Sequence, residues 1–176
     1  MEQQSAQPKK FILNYGLLLG IISVVLGVVL YVTNSHLTPH WGFAVLTYAL
    51  FILFVVWGIK AFKSDNGGFL GLGEAIKVGI GIALVAGLIS SLWTVLLSEV
   101  IEPDYSEQMA VVQRDAMIEQ NPNMTQEQMD AAMEFMEPFQ SPLITIPIFL
   151  VGYIFFGLIV SLIAGLVMRQ KRPHEV

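Results

Sequence analysis

The sequence predicts an all-α membrane protein: four transmembrane helices, with a two-helix extracytoplasmic insert between the third and the fourth. Two observations carry this reading. The 176 residues are 55% hydrophobic with a mean hydropathy of +0.65, too apolar for an ordinary soluble domain. The excess is gathered into four runs, each of about the 20 residues that a helix needs to cross roughly 30 Å of hydrocarbon. Of nine Lys and Arg residues, eight flank one set of ends of those runs, and the ninth, Arg114, stands alone in an acidic segment.

The first span is expected over Phe11–Val32. Lys9 and Lys10 before it give a superficial likeness to a signal peptide, but the run is too long for a signal core and no small-x-small cleavage site follows, so it reads as a retained span. Gly16, Gly20, Ser23 and Gly27 fall on one helix stripe. The next loop, Thr33–His40, has no Lys or Arg. His36 and His40 have the i, i+4 spacing of half a zinc site, yet Pro39 breaks the helix that would align them. They read as loop histidines at the membrane interface, and no metal site is expected.

The second span, Trp41–Ile59, is the shortest and carries bulk: Phe43, Tyr48, Phe51, Phe54 and Trp57. It is expected to fill a groove between the other helices or to face lipid. Asp65-Asn66-Gly67-Gly68 is a turn signal. Gly71 and Gly73 follow, but their spacing matches no phosphate-binding loop and no strand precedes them. Glu74 and Lys77 are placed for a helix-surface pair, within a short interfacial helix expected over Phe69–Lys77. The third span, Ile76–Leu97, has small residues at every fourth position: Gly79, Ala83, Gly87 and Ser91.

The insert, residues 98–142, holds ten acidic side chains against Arg114. It reads as two amphipathic helices joined at Asn121-Pro122. In the first, Tyr105, Met109, Val112 and Ala116 share a face. In the second, Thr125 is the expected N-cap and Gln128 completes a capping box. Met129, Ala132, Met133 and Met136 lie on one side of it, with Glu127, Asp130, Glu134 and Glu137 on the other. These carboxylates and methionines are the candidate partner surface. Six of the chain's eight methionines lie in this insert. Thioethers are soft ligands for copper(I), but a flexible hydrophobe filling a small irregular core explains them as well, and no cofactor is expected. The fourth span, Ile144–Met168, has Gly157, Ser161 and Gly165 on one stripe. Its helix is expected to start near Leu143, so that Pro147 falls early, where proline costs least.

Orientation follows from the cations. Lys9, Lys10, Lys60, Lys63, Lys77, Arg169, Lys171 and Arg172 all flank the ends that the positive-inside rule places in the cytoplasm. Both termini are then cytoplasmic and the insert lies outside. Apart from the insert the chain is net basic, and nucleic acid is not an expected partner. Absence of cysteine removes disulfide, thiolate-metal and thiol chemistry together.

Because lipid tails are as apolar as leucine, helices associate where small residues let backbones approach. Spans one, three and four are therefore expected in mutual contact through their stripes, or else one stripe is left exposed as a dimer face. The run Gly71 to Gly79 leads into the small-residue span, and Ile101-Glu102-Pro103-Asp104-Tyr105 follows it. After the acidic, Met-rich insert come Ser141-Pro142 and Ser161 to Lys171. Together these segments resemble the bacterial family called domain of unknown function 4199, typical of the Bacteroidetes group. The resemblance covers nearly the whole chain. It implies a four-span inner-membrane protein of unassigned function, with no catalytic residues to carry over.

Each span centre lacks Asp, Glu, Lys, Arg and His, the groups on which intramembrane enzymes and ion-coupled transporters rely. No nucleophile–base pair or proton relay can be assembled. The expected function is a non-enzymatic interaction or scaffold component in the lipid bilayer, with a membrane-protein partner or a second copy of itself. A small transporter or channel-type subunit is the alternative, since pores can be lined by backbone carbonyls.

Overall fold

The computed structural model describes residues 6–171; Arg172, counted above among the basic residues after the fourth span, lies outside them. Helix α1 spans Pro8–Val32, α2 Trp41–Asp65 and α3 Leu72–Leu96, the last continuing into a π turn at Leu97–Ile101. The insert forms α4, Tyr105–Gln120, and α5, Gln126–Met136; a 3-10 turn, Glu137–Gln140, then leads into α6, Pro142–Met168. Four of these elements are long and apolar enough to cross a membrane: α1, α2, α3 with its π turn, and α6. The protein is a membrane protein with four spanning helices. α1 and α3 run from the end of the bundle that carries the chain termini (the terminal end) to the end that carries the insert (the insert end), and α2 and α6 run back.

Several boundaries differ from those read in the sequence. α2 runs six residues beyond Ile59, because Lys60 and Lys63 do not end a helix whose other side still has apolar surface to cover. Phe62 is buried there and meets Phe11 edge to face at 5.7 Å. The stop comes at the turn instead, where Gly67 and Gly68 adopt φ of 71° and 87°, a region open to glycine at little cost. No separate interfacial helix forms over Phe69–Lys77. Leu70 is paired in extended form with Gln170, and a single helix starts at Leu72. The expected Glu74–Lys77 pair is absent among the described residues: the Glu74 carboxylate turns back to accept the Gly71 N–H at 2.7 Å, satisfying a free donor at the helix start. α6 begins at Pro142, which leaves Pro147 just past the first turn, so the Leu143 carbonyl lacks its helical donor.

α3 is the central helix. It packs along its length against α1 on one side and α6 on the other, while α2 touches all three. α3 stands between α1 and α6, in close contact with both. The span expected to fill a groove or face lipid does both. Phe51, Phe54, Val55, Ile59 and Phe62 of α2 are buried, whereas Tyr48 and Trp57 are exposed.

Two kinds of close approach hold the helices. Between α3 and α6, small residues lie on small residues. A Cβ added at Gly79 would overlap that of Ser161; one at Gly157 would sit 2.6 Å from the Cβ of Ala83, and one at Gly165 2.8 Å from that of Ala75. Between α1 and α3, the glycines of α1 are holes for bulky knobs: Gly16 receives Val85, Gly20 receives Ile89 and Gly27 receives Trp93. Such proximity gains dispersion contacts along the full helix length. No glycine stripe is left open to serve as a dimer face, because each is filled within the bundle.

At the terminal end, polar groups strap the chain together. Lys63 donates from Nζ to the Met168 carbonyl at 2.9 Å, neutralising the last turn of α6. Leu70 and Gln170 exchange two backbone hydrogen bonds of 3.0 and 3.1 Å. The Asn66 side chain accepts from the Ala6 N–H and donates to the Phe69 carbonyl. Three separate segments meet here, so this end is the more firmly fixed.

Candidate functional site

The insert end concentrates the chain's unusual chemistry. The π turn that ends α3 delivers Glu102 beneath the first loop, with its backbone N–H bonded to the Leu97 carbonyl at 2.8 Å. There the Glu102 carboxylate lies 2.8 Å from Nε2 of His36, close enough for an ion pair when the imidazole carries its proton. Its other oxygen accepts from Nε2 of Gln108 on α4 at 2.8 Å. The His36 ring sits between Tyr31 and Tyr105, at 5.4 and 6.1 Å, and only 9% of its side chain is exposed. One carboxylate thus joins the first loop, the end of α3 and the start of α4. His40 does separate work: its Nδ1 accepts the Gly42 N–H and caps α2.

Burial, and secondarily the nearby Glu102 charge, push the Tyr105 hydroxyl above the ordinary tyrosine value. An unfolded chain releases this proton near pH 10, and the folded one releases it only at higher pH. Across that window the unfolded state holds fewer protons, so the contribution to stability is complete below about pH 10 and is lost as pH rises through the folded value. We expect the ultraviolet titration of tyrosinate to lose, in Tyr105→Phe, a component that titrates above the ordinary tyrosine value. A normal titration for every tyrosine would contradict this packing.

The insert itself has the expected caps. Thr125 accepts from the Gln128 N–H at 3.3 Å, and the Gln128 side chain accepts from the Thr125 N–H at 3.0 Å. Met129 is buried, Met133 and Met136 are half-buried, and Glu127, Asp130, Glu134 and Glu137 are exposed. Their carboxylates have no Lys or Arg partner: among the described residues the one ion pair is His36–Glu102. Asp130 accepts from Gln126. Val111, Ile118, Phe135 and Phe139 are exposed apolar residues on the same insert, with the two phenylalanine rings 5.8 Å apart.

Below the insert, α2 and α6 diverge to leave a groove of about 530 Å³ that includes Phe43, Thr47 and Phe51 of α2 with Phe149, Gly152 and Phe156 of α6 in its walls. The rings interlock: Phe51 meets Tyr153 edge to face at 5.6 Å, and Tyr48 stacks on Phe156 at 5.1 Å. Most buried hydroxyls of the bundle are engaged within the protein, whereas Ser98 Oγ, buried in the π turn, has no hydrogen-bond partner among the described residues. Ser91 donates to the Gly87 carbonyl, Ser161 to that of Leu158, and Tyr153 to Ser90 Oγ. Among the described residues no three His, Cys, Asp or Glu side chains are grouped to hold a metal ion.

Sequence reasoning read His36 and His40 as two loop histidines at the membrane interface and missed the partner of His36. The available signal was topological: the first loop and the chain leaving span three emerge at the same end, so a loop histidine and Glu102 are neighbours in any four-span arrangement. The groove had no such signal. No curated protein and no solved structure matches the chain. The family model described as Protein of unknown function (DUF4199) matches residues 14–170, which take in the insert and nearly all of the four spanning helices, and the chain belongs to that family.

Proposed function

We propose that the protein is a non-enzymatic interaction component of a bacterial inner membrane, with both termini in the cytoplasm, and that the acidic insert receives a basic partner outside. The observation that carries this reading is the uncompensated charge of α5. Glu127, Asp130 and Glu134 of α5 and Glu137 of the turn after it are exposed at i, i+3, i+7 and i+10, and among the described residues none of them has a Lys or Arg ion-pair partner. Like charges at such spacing oppose one another by a few tenths of a kcal/mol per pair, so this face weakens the isolated helix. A cationic surface reverses that penalty and gains steering toward the insert. The orientation rests on Lys9, Lys10, Lys60, Lys63, Lys77, Arg169 and Lys171, which flank the terminal end. The hydroxyls of Ser91, Ser161 and Tyr153 have partners inside the bundle, which favours an interaction role over conduction.

Site-specific photo-crosslinking from position 134 in intact membranes tests the proposal. A discrete adduct is expected, weakening as salt is raised and lost when Glu127→Gln, Asp130→Asn and Glu137→Gln are combined. Unchanged adducts from the neutralised variant would overturn the acidic face as the receptor, and solute flux through the purified protein in sealed vesicles would favour the transporter reading.

A further inference from the structure

We infer that the groove between α2 and α6 holds the two hydrocarbon chains of one membrane phospholipid, taken from the leaflet nearer the insert. The placement comes first. The groove walls belong mainly to two spanning helices, with Leu30 of α1 and Pro39 of the first loop at the insert end, which sets the groove at the depth of one leaflet's acyl chains. Its length fits that leaflet. Phe43 to Phe51 and Ile148 to Phe156 each cover eight helical steps, about 12 Å of helix rise, against about 15 Å for half of a hydrocarbon core.

Cross-section decides between occupants. A volume of about 530 Å³ over about 12 Å gives a mean cross-section of about 44 Å². A helix of 10–12 Å diameter needs roughly 80 Å² or more, so a span from a second copy does not enter. At about 30 Å³ per methylene-sized unit, the share of volume that one water takes in the liquid, the space holds about 18 such units, which over about 12 Å means two chain segments of about nine units side by side. The lining fits an apolar occupant. Thr47 donates its hydroxyl to the Phe43 carbonyl and Tyr153 donates to Ser90 Oγ, so neither calls for a polar ligand. Gly152 opens the wall: a Cβ built there meets no atom within 4 Å. Annular lipid touches every outward face briefly; a walled groove adds contacts on three sides, and the bound lipid then exchanges more slowly than its neighbours.

The test uses the full chain in vesicles of phosphatidylethanolamine carrying a photoactivatable group on the distal half of one acyl chain, with adducts mapped by mass spectrometry. Labelling is expected to favour Thr47, Tyr48 and Tyr153 over the lipid-facing Val25, Leu92 and Val151 by about tenfold, the ratio that a preference of about 1.4 kcal/mol produces. Gly152→Phe, whose Cβ has no atom within 4 Å and whose ring is placed to occupy the groove, is expected to bring groove labelling down to the level of those reference residues while thermal unfolding in detergent is unchanged. Equal labelling of groove and reference residues in the native chain would mean annular contact only and would overturn the inference. So would undiminished groove labelling in a folded Gly152→Phe protein. Because the chain has no cysteine, a Gly152→Cys variant reports a second copy directly, and efficient disulfide formation between copies through that position would also refute a lipid occupant.

Discussion

Gly79→Leu is expected to separate α6 from α3 and to lower stability by about 3 kcal/mol, the upper part of the range for overpacking a filled interface. The new Cβ would overlap that of Ser161, and Ile59 stands close beside it. The Ile59 Cδ1 methyl can swing aside, but the Ser161 Cβ is fixed to its own backbone, so relief requires the helices to part. Parting forfeits the neighbouring approaches at Ala83–Gly157 and Ala75–Gly165 together. Gly157→Leu acts on the same interface, against Ala83 and the Gly79 carbonyl, and the double variant should fall well short of the sum of the singles, since either wedge alone already opens the contact. Gly73→Ala is the matched control, in the first turn of α3 with no atom within 4 Å of the added carbon; it is expected to be neutral or to stabilise by about 0.4–1 kcal/mol through the unfolded state. Unfolding in a titration with denaturing detergent reads all four. A native-like midpoint for Gly79→Leu would show that α3 and α6 do not meet in this register.

The second large effect is at Phe62, 1% exposed and packed edge to face on Phe11 beneath the strap at the terminal end. Phe62→Ala is expected to cost about 3 kcal/mol, the lower end of the range for deleting a core aromatic. The lower end applies because the competing medium is hydrocarbon: the transfer from water is largely missing, whereas the lost dispersion contacts and the cavity remain. The loss should be felt locally as well. Phe62 accepts the Asn66 N–H through its carbonyl, and Asn66 holds the Ala6 N–H, so hydrogen exchange should quicken at Asn66 and at the Leu70–Gln170 pair. Leu92→Ala, at a position 71% exposed on a spanning helix, is expected to change stability by less than about 0.5 kcal/mol. Equal losses at the two positions would mean that the bundle has no distinct interior.

That contrast between Phe62 and Leu92 also explains which parts of the molecule were legible from residues alone. The number of spans, the small-residue stripes and the Thr125–Gln128 cap could be read because each depends on length, spacing or a local hydrogen bond. Helix ends were read less well where a turn or a carboxylate, not hydropathy, sets the boundary: α2 continues to Asp65 because the glycine turn stops it, and α3 starts at Leu72 because Glu74 caps it.

What the sequence by itself determined is that this chain crosses lipid four times and carries an acidic pair of helices on the third connection, since hydrocarbon demands long apolar helices and excludes clustered charge. Tertiary structure alone decided that α3 is central, that the glycines of α1 receive Val85, Ile89 and Trp93 while those of α6 meet Ala83 and Ala75, that Glu102 reaches His36, and that α2 and α6 leave a groove. The reason is the solvent. In water an apolar stripe marks the inward face of a helix, but in a bilayer the lipid-facing Leu92 and Val151 are as apolar as the fully buried Ile82 and Val55, so hydropathy distinguishes span from loop and carries no information about which face meets which.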